Sequence, residues 1–135
     1  PHSRERLLAG AMIPSAWYLQ AQRFRRHARQ AMKSLFSQAD VLIAPATPCS
    51  ATPIGAEEMV INGQPLPVRA SMGMLTQPIS FLGLPVVTVP LRTASGKPIG
   101  LQLIAAPFNE QACLRAARAL EAMGITDARV AESAA

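Results

Sequence analysis

The side chains best suited to nucleophilic or acid–base chemistry are few and scattered in this sequence. A nucleophile needs a base beside it, yet the two histidines are His2, at the very start, and His27, within a run of arginines. The sequence contains no G-x-S-x-G nucleophile elbow and no glycine-rich phosphate loop. The acidic pair Glu57-Glu58 lies in a predicted loop, where neighbouring carboxylates are usually solvated. These patterns predict no catalytic residue in the chain.

The two cysteines give no sign of a metal centre or a disulfide framework. Cys49 and Cys113 stand far apart and belong to no C-x-x-C or Cys/His pattern. Free thiols are typical of a reducing compartment. The start of the chain lacks the pattern of a secretion signal, and its apolar runs fall short of the ~20 residues that span a bilayer. We therefore expect a cytoplasmic protein with no metal, no cofactor and no membrane partner.

The formal net charge of +5 is concentrated in one stretch. Arg25, Arg29 and Lys33 recur at every fourth residue and so share one face of a predicted helix. Such an excess of positive charge suggests nucleic acid as a partner. Only Phe24 interleaves with the charges, however, so the stretch lacks the stacking platform of single-strand binders. We expect a solvated helix face, and a non-catalytic module that binds a partner protein or nucleic acid remains an alternative.

The elements that would hold any site begin with two predicted helices. The 135 residues, half of them apolar, amount to about one domain. An amphipathic stretch over 4–12 closes at Ile13-Pro14, because the residue before proline disfavours helix. A second helix runs from Ser15 to about residue 37. Its apolar residues recur at spacings of three and four, which predicts a single stripe: Trp17, Ala21, Phe24, Ala28, Ala31 and Leu35.

The middle of the chain changes texture. Residues 40–45 are apolar on both faces, which predicts a buried strand within a covered sheet. Residues 46–67 are proline-rich and predict a long loop with a small turn at Asn62-Gly63. Residues 69–75 are predicted to form a short helix that ends before Pro78.

The last third predicts a hairpin and a helix. Residues 86–89 and 99–104 are β-rich runs joined by a turn with Ser95-Gly96. Asn109 then caps a helix that stops at Gly124, and its inward residues are expected to be Cys113, Ala116, Ala117 and Leu120. The order of elements indicates an α/β or α+β fold.

Six motifs follow one another in the order found in a known family. They are residues 6–10 (RLLAG), 18–25 (YLQAQRFR), 40–48 (DVLIAPATP), 83–90 (GLPVVTVP), 98–104 (PIGLQLI) and 108–110 (FNE). By these motifs the sequence resembles the C-terminal part of the amidase signature enzymes. Residues 20–26 (QAQRFRR) and 75–81 (LTQPISF) look most similar to the carboxybiuret hydrolase branch.

The resemblance implies an α/β fold in which helices cover a mixed β-sheet. Residues 1–125 would be the C-terminal segment of an amidase signature domain, and 126–135 a flexible tail. The family hydrolyses amides with a Ser–cis-Ser–Lys triad that precedes this region. Lys33 and Lys97 do not match the family lysine, and the chain has no Gly/Ser-rich loop. We therefore expect no activity from the chain alone, and a role as part of the pocket wall in a full-length amidase.

The resemblance also suggests which residues bind substrate. Arg6 matches an arginine that holds the substrate carboxylate in glutamyl-tRNA amidotransferase A subunits, a task suited to the guanidinium fork. Gly73 stands where those subunits carry an aspartate for the substrate ammonium, which argues against an amino-acid amide. Arg69 could instead add positive charge and favour an acidic substrate. For both Arg6 and Arg69, an exposed arginine without a substrate role is the alternative. A fragment of such an amidotransferase, which acts as a glutaminase, remains the alternative within the same class.

Two further residues complete the expected substrate-binding set. Thr76 and Gln77 lie where the family chain passes close to the active site, and the Gln77 carboxamide could donate and accept hydrogen bonds to a ureido group. A structural hydrogen bond is an equal alternative for Gln77. The expected partners are a small amide or urea substrate and either a second copy or a small accessory subunit.

Overall fold

The computed structural model describes residues 2–126, and the chain divides into two compact units after Leu35. The flexible tail expected over 126–135 lies, from residue 127 onward, outside the described residues. The first unit is helical, and the second contains the strands and the remaining helices.

The first unit confirms both predicted helices. Helix α1 spans His2–Ala11 and helix α2 spans Ser15–Phe36, with the break at Pro14. No residue on the apolar stripe of α2 is buried: Trp17 is 70% exposed, whereas Ala21 and Ala28 are half-buried. Apolar periodicity correctly gave the helix, but it does not say what covers the stripe.

The second unit is built on a three-stranded antiparallel sheet. Its order is β1 (Val41–Pro45), β5 (Pro98–Ala105), β4 (Val86–Arg92), so β5 is central. The predicted hairpin of β4 and β5 is confirmed, with Val86 opposite Ile104 and Arg92 opposite Pro98. The expectation that β1 is buried on both faces is wrong for the described chain. Strand β1 lies at an edge of this sheet, and Ile43 is 61% exposed.

Helix α5 (Glu110–Ala122) covers one face of this sheet. Ala112 and Cys113 pack on Ala105, with Val41 and Val87 around them. Asn109 occupies the predicted N-cap position, although its side chain makes no capping hydrogen bond. Burial raises the pKa of the Cys113 thiol, whose Sγ donates a weak hydrogen bond to the carbonyl oxygen of Pro85 at 3.6 Å.

The predicted long loop over 46–67 is wrong in its second half. Strands β2 (Glu58–Ile61) and β3 (Gln64–Pro67) form a second hairpin, and its turn is at Asn62-Gly63 as predicted. Both turn residues have positive φ, 52° and 78°, which suits a two-residue turn between twisted strands. The prolines of β3 concealed the strand, because proline is tolerated only where no ladder hydrogen bond is needed.

The helix predicted over 69–75 is also corrected. Helix α3 is only Val68–Ser71, and a separate helix α4 runs over Gln77–Leu82. Pro78 lies in the first turn of α4 and so begins this helix instead of ending its predecessor. Proline fits there because the first N–H groups of a helix have no partner within the helix. Gly83, with φ of 66°, ends α4.

Candidate functional site

The expected substrate-binding residues Thr76 and Gln77 lie at the start of α4, after a compact turn. The carbonyl oxygen of Gly73 accepts hydrogen bonds from the backbone N–H of Thr76 at 3.1 Å and of Gln77 at 2.9 Å. The Thr76 hydroxyl donates to the same oxygen at 3.2 Å. These three bonds fix the direction in which the chain enters α4. We call residues 72–77 the site turn.

Gly73 and Gln77 pack closely within the site turn. A Cβ atom added to Gly73 would lie 3.0 Å from Nε2 of Gln77, which is tighter than ordinary van der Waals contact. The Gln77 carboxamide therefore lies over the bare backbone of Gly73, while the residue as a whole remains exposed. This arrangement presents a neutral group that can both donate and accept hydrogen bonds.

Gln102, on β5, ties the site turn to the sheet, and it was not among the site residues expected from the sequence. Its Nε2 donates to the carbonyl oxygen of Leu75 at 3.2 Å and to that of Pro45 at 2.9 Å. Side chains alternate along a strand. Since Ala105 faces α5, Gln102 faces the opposite side of the sheet. The available signal was a polar residue inside the apolar run Leu101–Ile104.

A shallow groove of about 590 Å³ lies beside this turn in the second unit. Its lining includes Met72 of the site turn, together with Thr47, Cys49, Thr88 and Gly100. Gly100 allows a close approach, because a Cβ there would lie 2.8 Å from Cβ of Ala46 and 2.9 Å from Cγ2 of Thr88. The groove is mostly apolar, so it can accommodate a flat or aliphatic group more readily than a charge.

The structure brings together some of the predicted site residues and not others. Arg69, on α3, is exposed, and it shares the second unit with Thr76 and Gln77. None of these three lines the groove. Arg6 lies on α1 in the first unit and is also exposed. Glu57 and Glu58 are both exposed, as expected for solvated carboxylates.

The basic face of α2 is a separate feature of the first unit. Gln22, Arg25, Arg26, Arg29, Gln30 and Lys33 line a depression on this helix. Elsewhere, no three His, Cys, Asp or Glu side chains of residues 2–126 converge as a metal site would require. Within the same residues, no helix is both long and apolar enough to cross a bilayer.

The α/β architecture and the motif order correspond to one family. Residues 3–114 match the amidase family, and the chain belongs to it. The chain is 53% identical, over 93% of its length, to AtzE, a 1-carboxybiuret hydrolase subunit of Pseudomonas sp. (strain ADP). It is 38% identical, over 85% of its length, to one of the glutamyl-tRNA(Gln) amidotransferase A subunits, that of Roseiflexus sp. (strain RS-1). The resemblance to the carboxybiuret hydrolase branch is thereby confirmed.

Solved structures give the same result for the fold. A structure described as a vestigial protein complex that reveals the origins of an s-triazine catabolic enzyme matches 96% of this chain at 51% identity, with a TM-score of 0.89. A second, described as an amidase, matches 91% at 32% identity, with a TM-score of 0.84. The matches cover 29% and 28% of those chains. The α/β fold described here is thus a part of the larger amidase signature fold.

The chain spans only a fraction of its relatives. The match covers 28% of the carboxybiuret hydrolase subunit from Pseudomonas, and 24% of the amidotransferase protein from Roseiflexus. The described residues therefore correspond to one region of those proteins.

Proposed function

We propose that this chain is the C-terminal segment, residues 1–125, of an amidase that hydrolyses the C–N bond of a small, carboxylated urea or amide. The serine nucleophile would come from residues that precede this region in the family. The observation that carries the proposal is the 53% identity to a carboxybiuret hydrolase subunit over 93% of the chain. The 135 residues would supply part of the pocket wall and would be inactive alone.

The site turn supplies the neutral contacts in this proposal. The Gln77 carboxamide would bind the ureido group, because it donates and accepts hydrogen bonds without carrying charge. The Thr76 hydroxyl already donates to the carbonyl oxygen of Gly73, so its oxygen is left to accept a substrate N–H. Residue 73 is glycine, so this position offers no carboxylate to neutralise an ammonium group. That supports a substrate that is not a zwitterion.

Two arginines supply the positive charge in this proposal. Arg69 lies on the short helix α3, directly before the site turn, and Arg6 lies on α1. A guanidinium forms paired, charge-assisted hydrogen bonds with a carboxylate, which a neutral side chain cannot replace. Each arginine would thus contribute to the affinity for a carboxylated substrate and little to the affinity for its neutral counterpart.

The test uses the complete active enzyme that carries this chain, with 1-carboxybiuret and neutral biuret as paired substrates. Arg69→Ala is expected to raise KM for 1-carboxybiuret about tenfold, equivalent to about 1.4 kcal/mol. The same variant should change KM for biuret by less than about twofold. Hydrolysis is followed as ammonia release.

Arg115→Ala is the matched control, because Arg115 is an exposed arginine on α5, on the other face of the sheet. It should leave both KM values unchanged. Equal effects of Arg69→Ala on the charged and the neutral substrate would refute the charge-recognition role.

The second candidate is a glutaminase of the amidotransferase kind, supported by the 38% identity to the Roseiflexus amidotransferase protein. Both candidates share the amide chemistry and differ in substrate. A glutaminase assay of the complete enzyme separates them, since release of ammonia from glutamine in preference to 1-carboxybiuret would favour the amidotransferase.

We further propose that the complete enzyme associates with a second copy or a small accessory subunit in the cytoplasm. The association is supported by the solved relative, which is described as a protein complex. The cytoplasmic location is supported by the free thiols of Cys49 and Cys113, which are typical of a reducing compartment.

A further inference from the structure

We infer that Gln102 is a positioning residue for substrate binding, acting through the site turn. The inference rests on the proposed function, in which Thr76 and Gln77 contact the substrate. Gln102 lies in the sheet, and we assign it no contact with the substrate. Gln102 is buried, its carboxamide joins the site turn to the sheet at the end of β1, and on this inference the site turn depends on that connection for its position.

Among the described residues, Gln102 is the polar side chain that is fully buried, at 2% exposure. Burying a primary amide is unfavourable unless its hydrogen bonds are formed. Here both acceptors are backbone carbonyl oxygens, of Pro45 and Leu75, and both face Nε2. Two acceptors at one atom require an NH₂ group, which a hydroxyl, a carboxylate or an apolar side chain cannot provide.

The two carbonyl groups belong to segments that are remote in sequence. Pro45 ends β1, 57 residues before Gln102, and Leu75 lies in the site turn, 27 residues before it. Gln102 itself lies on the central strand, between Ala44 of β1 and Thr88 of β4. One carboxamide thus joins the site turn, the end of β1 and the middle of the sheet.

The site turn otherwise holds itself together locally. The backbone hydrogen bonds that run from Met72 to Val68, from Met74 to Ser71, from Thr76 and Gln77 to Gly73, and from Ser80 to Thr76 all join residues three or four apart. Such hydrogen bonds fix the conformation of the turn, but they do not fix its distance from the sheet. The bond from Gln102 to Leu75 provides that second constraint, one residue before Thr76 and two before Gln77.

A shift of the site turn would carry the Gln77 carboxamide with it, because that group is packed against Gly73 within the same turn. Misplacement of a binding group by about 1 Å can reduce catalytic efficiency by on the order of a hundredfold. Loss of the Gln102 N–H groups should therefore weaken substrate binding, although Gln102 makes no contact with substrate.

The experiment is a double-mutant cycle in the complete active enzyme with 1-carboxybiuret as substrate. Gln102→Met keeps the length of the side chain and removes both N–H donors. It is expected to raise KM about tenfold, and Gln77→Ala to raise it similarly. Because Gln102 acts through the site turn that carries Gln77, the double variant should raise KM by clearly less than the product of the two single effects.

Two further variants separate positioning from a general loss of stability. Ile104→Val lies two residues along the same strand, is buried, and lacks any bond to the site turn. It should lower the unfolding midpoint and leave KM unchanged. Gln102→Asn keeps the N–H donors on a shorter side chain, so it should give an intermediate KM, and it replaces Gln102→Met in the cycle if that variant does not fold.

The outcomes distinguish the two proposals. If Gln77→Ala raises KM and Gln102→Met multiplies that effect independently, the positioning role is overturned and the substrate role of Gln77 stands. If Gln77→Ala leaves KM unchanged, the proposed substrate contact fails, and the positioning role fails with it. Faster amide hydrogen exchange across residues 72–77 in Gln102→Met, but not in Ile104→Val, is the structural result expected.

Discussion

Gly100 is a residue at which the sheet leaves no space for a side chain. Ala46 and Thr88 approach it from two sides, at distances that leave no space for a methyl group. The backbone N–H of Ala46 also donates to the carbonyl oxygen of Gly100 at 2.8 Å. The two segments therefore cannot move apart without losing this hydrogen bond. Glycine is needed at this position because the side chains of Ala46 and Thr88 pack against it, and not because its backbone has a positive φ.

Gly100→Ala should therefore destabilise the second unit by about 1–3 kcal/mol, the usual cost of overpacking. The measurement is the urea midpoint of the complete protein. Adding Ala46→Gly removes one of the two obstructing atoms and should recover part of the loss. Gly10→Ala serves as the control, since Gly10 lies on α1 with open space around it. An unchanged midpoint for Gly100→Ala would contradict the close packing.

The residue scale also shows where sequence reasoning falls short. Thr76 and Gln77 were selected by position within a familiar motif, and their neighbourhood follows from bonds between residues three and four apart. Gln102 was missed because its partners, Leu75 and Pro45, lie 27 and 57 residues away. A polar residue in an apolar strand predicts that a partner exists, but the sequence does not say which one.

At the scale of elements, the hairpin of β2 and β3 depends on its turn. Gly63 has φ of 78° and no atom within 4 Å of a potential Cβ, so a substitution there tests backbone conformation alone. Asn62, with φ of 52°, is a residue type that tolerates this region. The turn therefore requires glycine at position 63, whereas position 62 accepts asparagine.

Gly63→Val should destabilise the hairpin by about 1–2 kcal/mol, because a residue with a branched Cβ disfavours positive φ. Asn62→Gly should leave the turn intact. Amide hydrogen exchange over residues 58–67 reports the difference, and it should rise in the first variant only. Comparable exchange in both variants would argue against the turn geometry.

Elements with strong local signals were predicted well, and those set by their surroundings were not. Helix α2, helix α5 and the hairpin of β4 and β5 follow from periodicity and turn residues. Pro78 was misassigned because proline is compatible with both the start and the end of a helix, and only the path of the chain decides between them. The edge position of β1 likewise depends on which strands are present beside it.

At the scale of the whole molecule, many large apolar side chains of the described residues are exposed. Met12, Trp17 and Ile54 are all more than two-thirds exposed, and so are Leu7, Val60 and Phe108. Strands β1 and β4 each leave one edge unpaired in the described sheet. Unpaired edges and exposed apolar side chains both favour association with other chains.

The 135-residue chain purified alone is therefore expected to self-associate. Light scattering should give a mass above 14.4 kDa that increases with protein concentration. Ile43→Lys places a charge on the exposed edge strand β1 and should reduce the association, whereas Arg115→Lys, on α5, should not. A concentration-independent monomer would rule this expectation out.

The pairing of β1 with β5 has a consequence for the order of folding. Arg92 meets Pro98 across a short loop, but Val41 meets Ala105 only after most of the second unit has been traversed. Closing a longer loop costs more chain entropy, and contacts distant in sequence slow folding. We expect β4 and β5 to pair early and β1 to pair with β5 late. The side-chain amide of Gln102 would then become buried only when β1 joins the sheet.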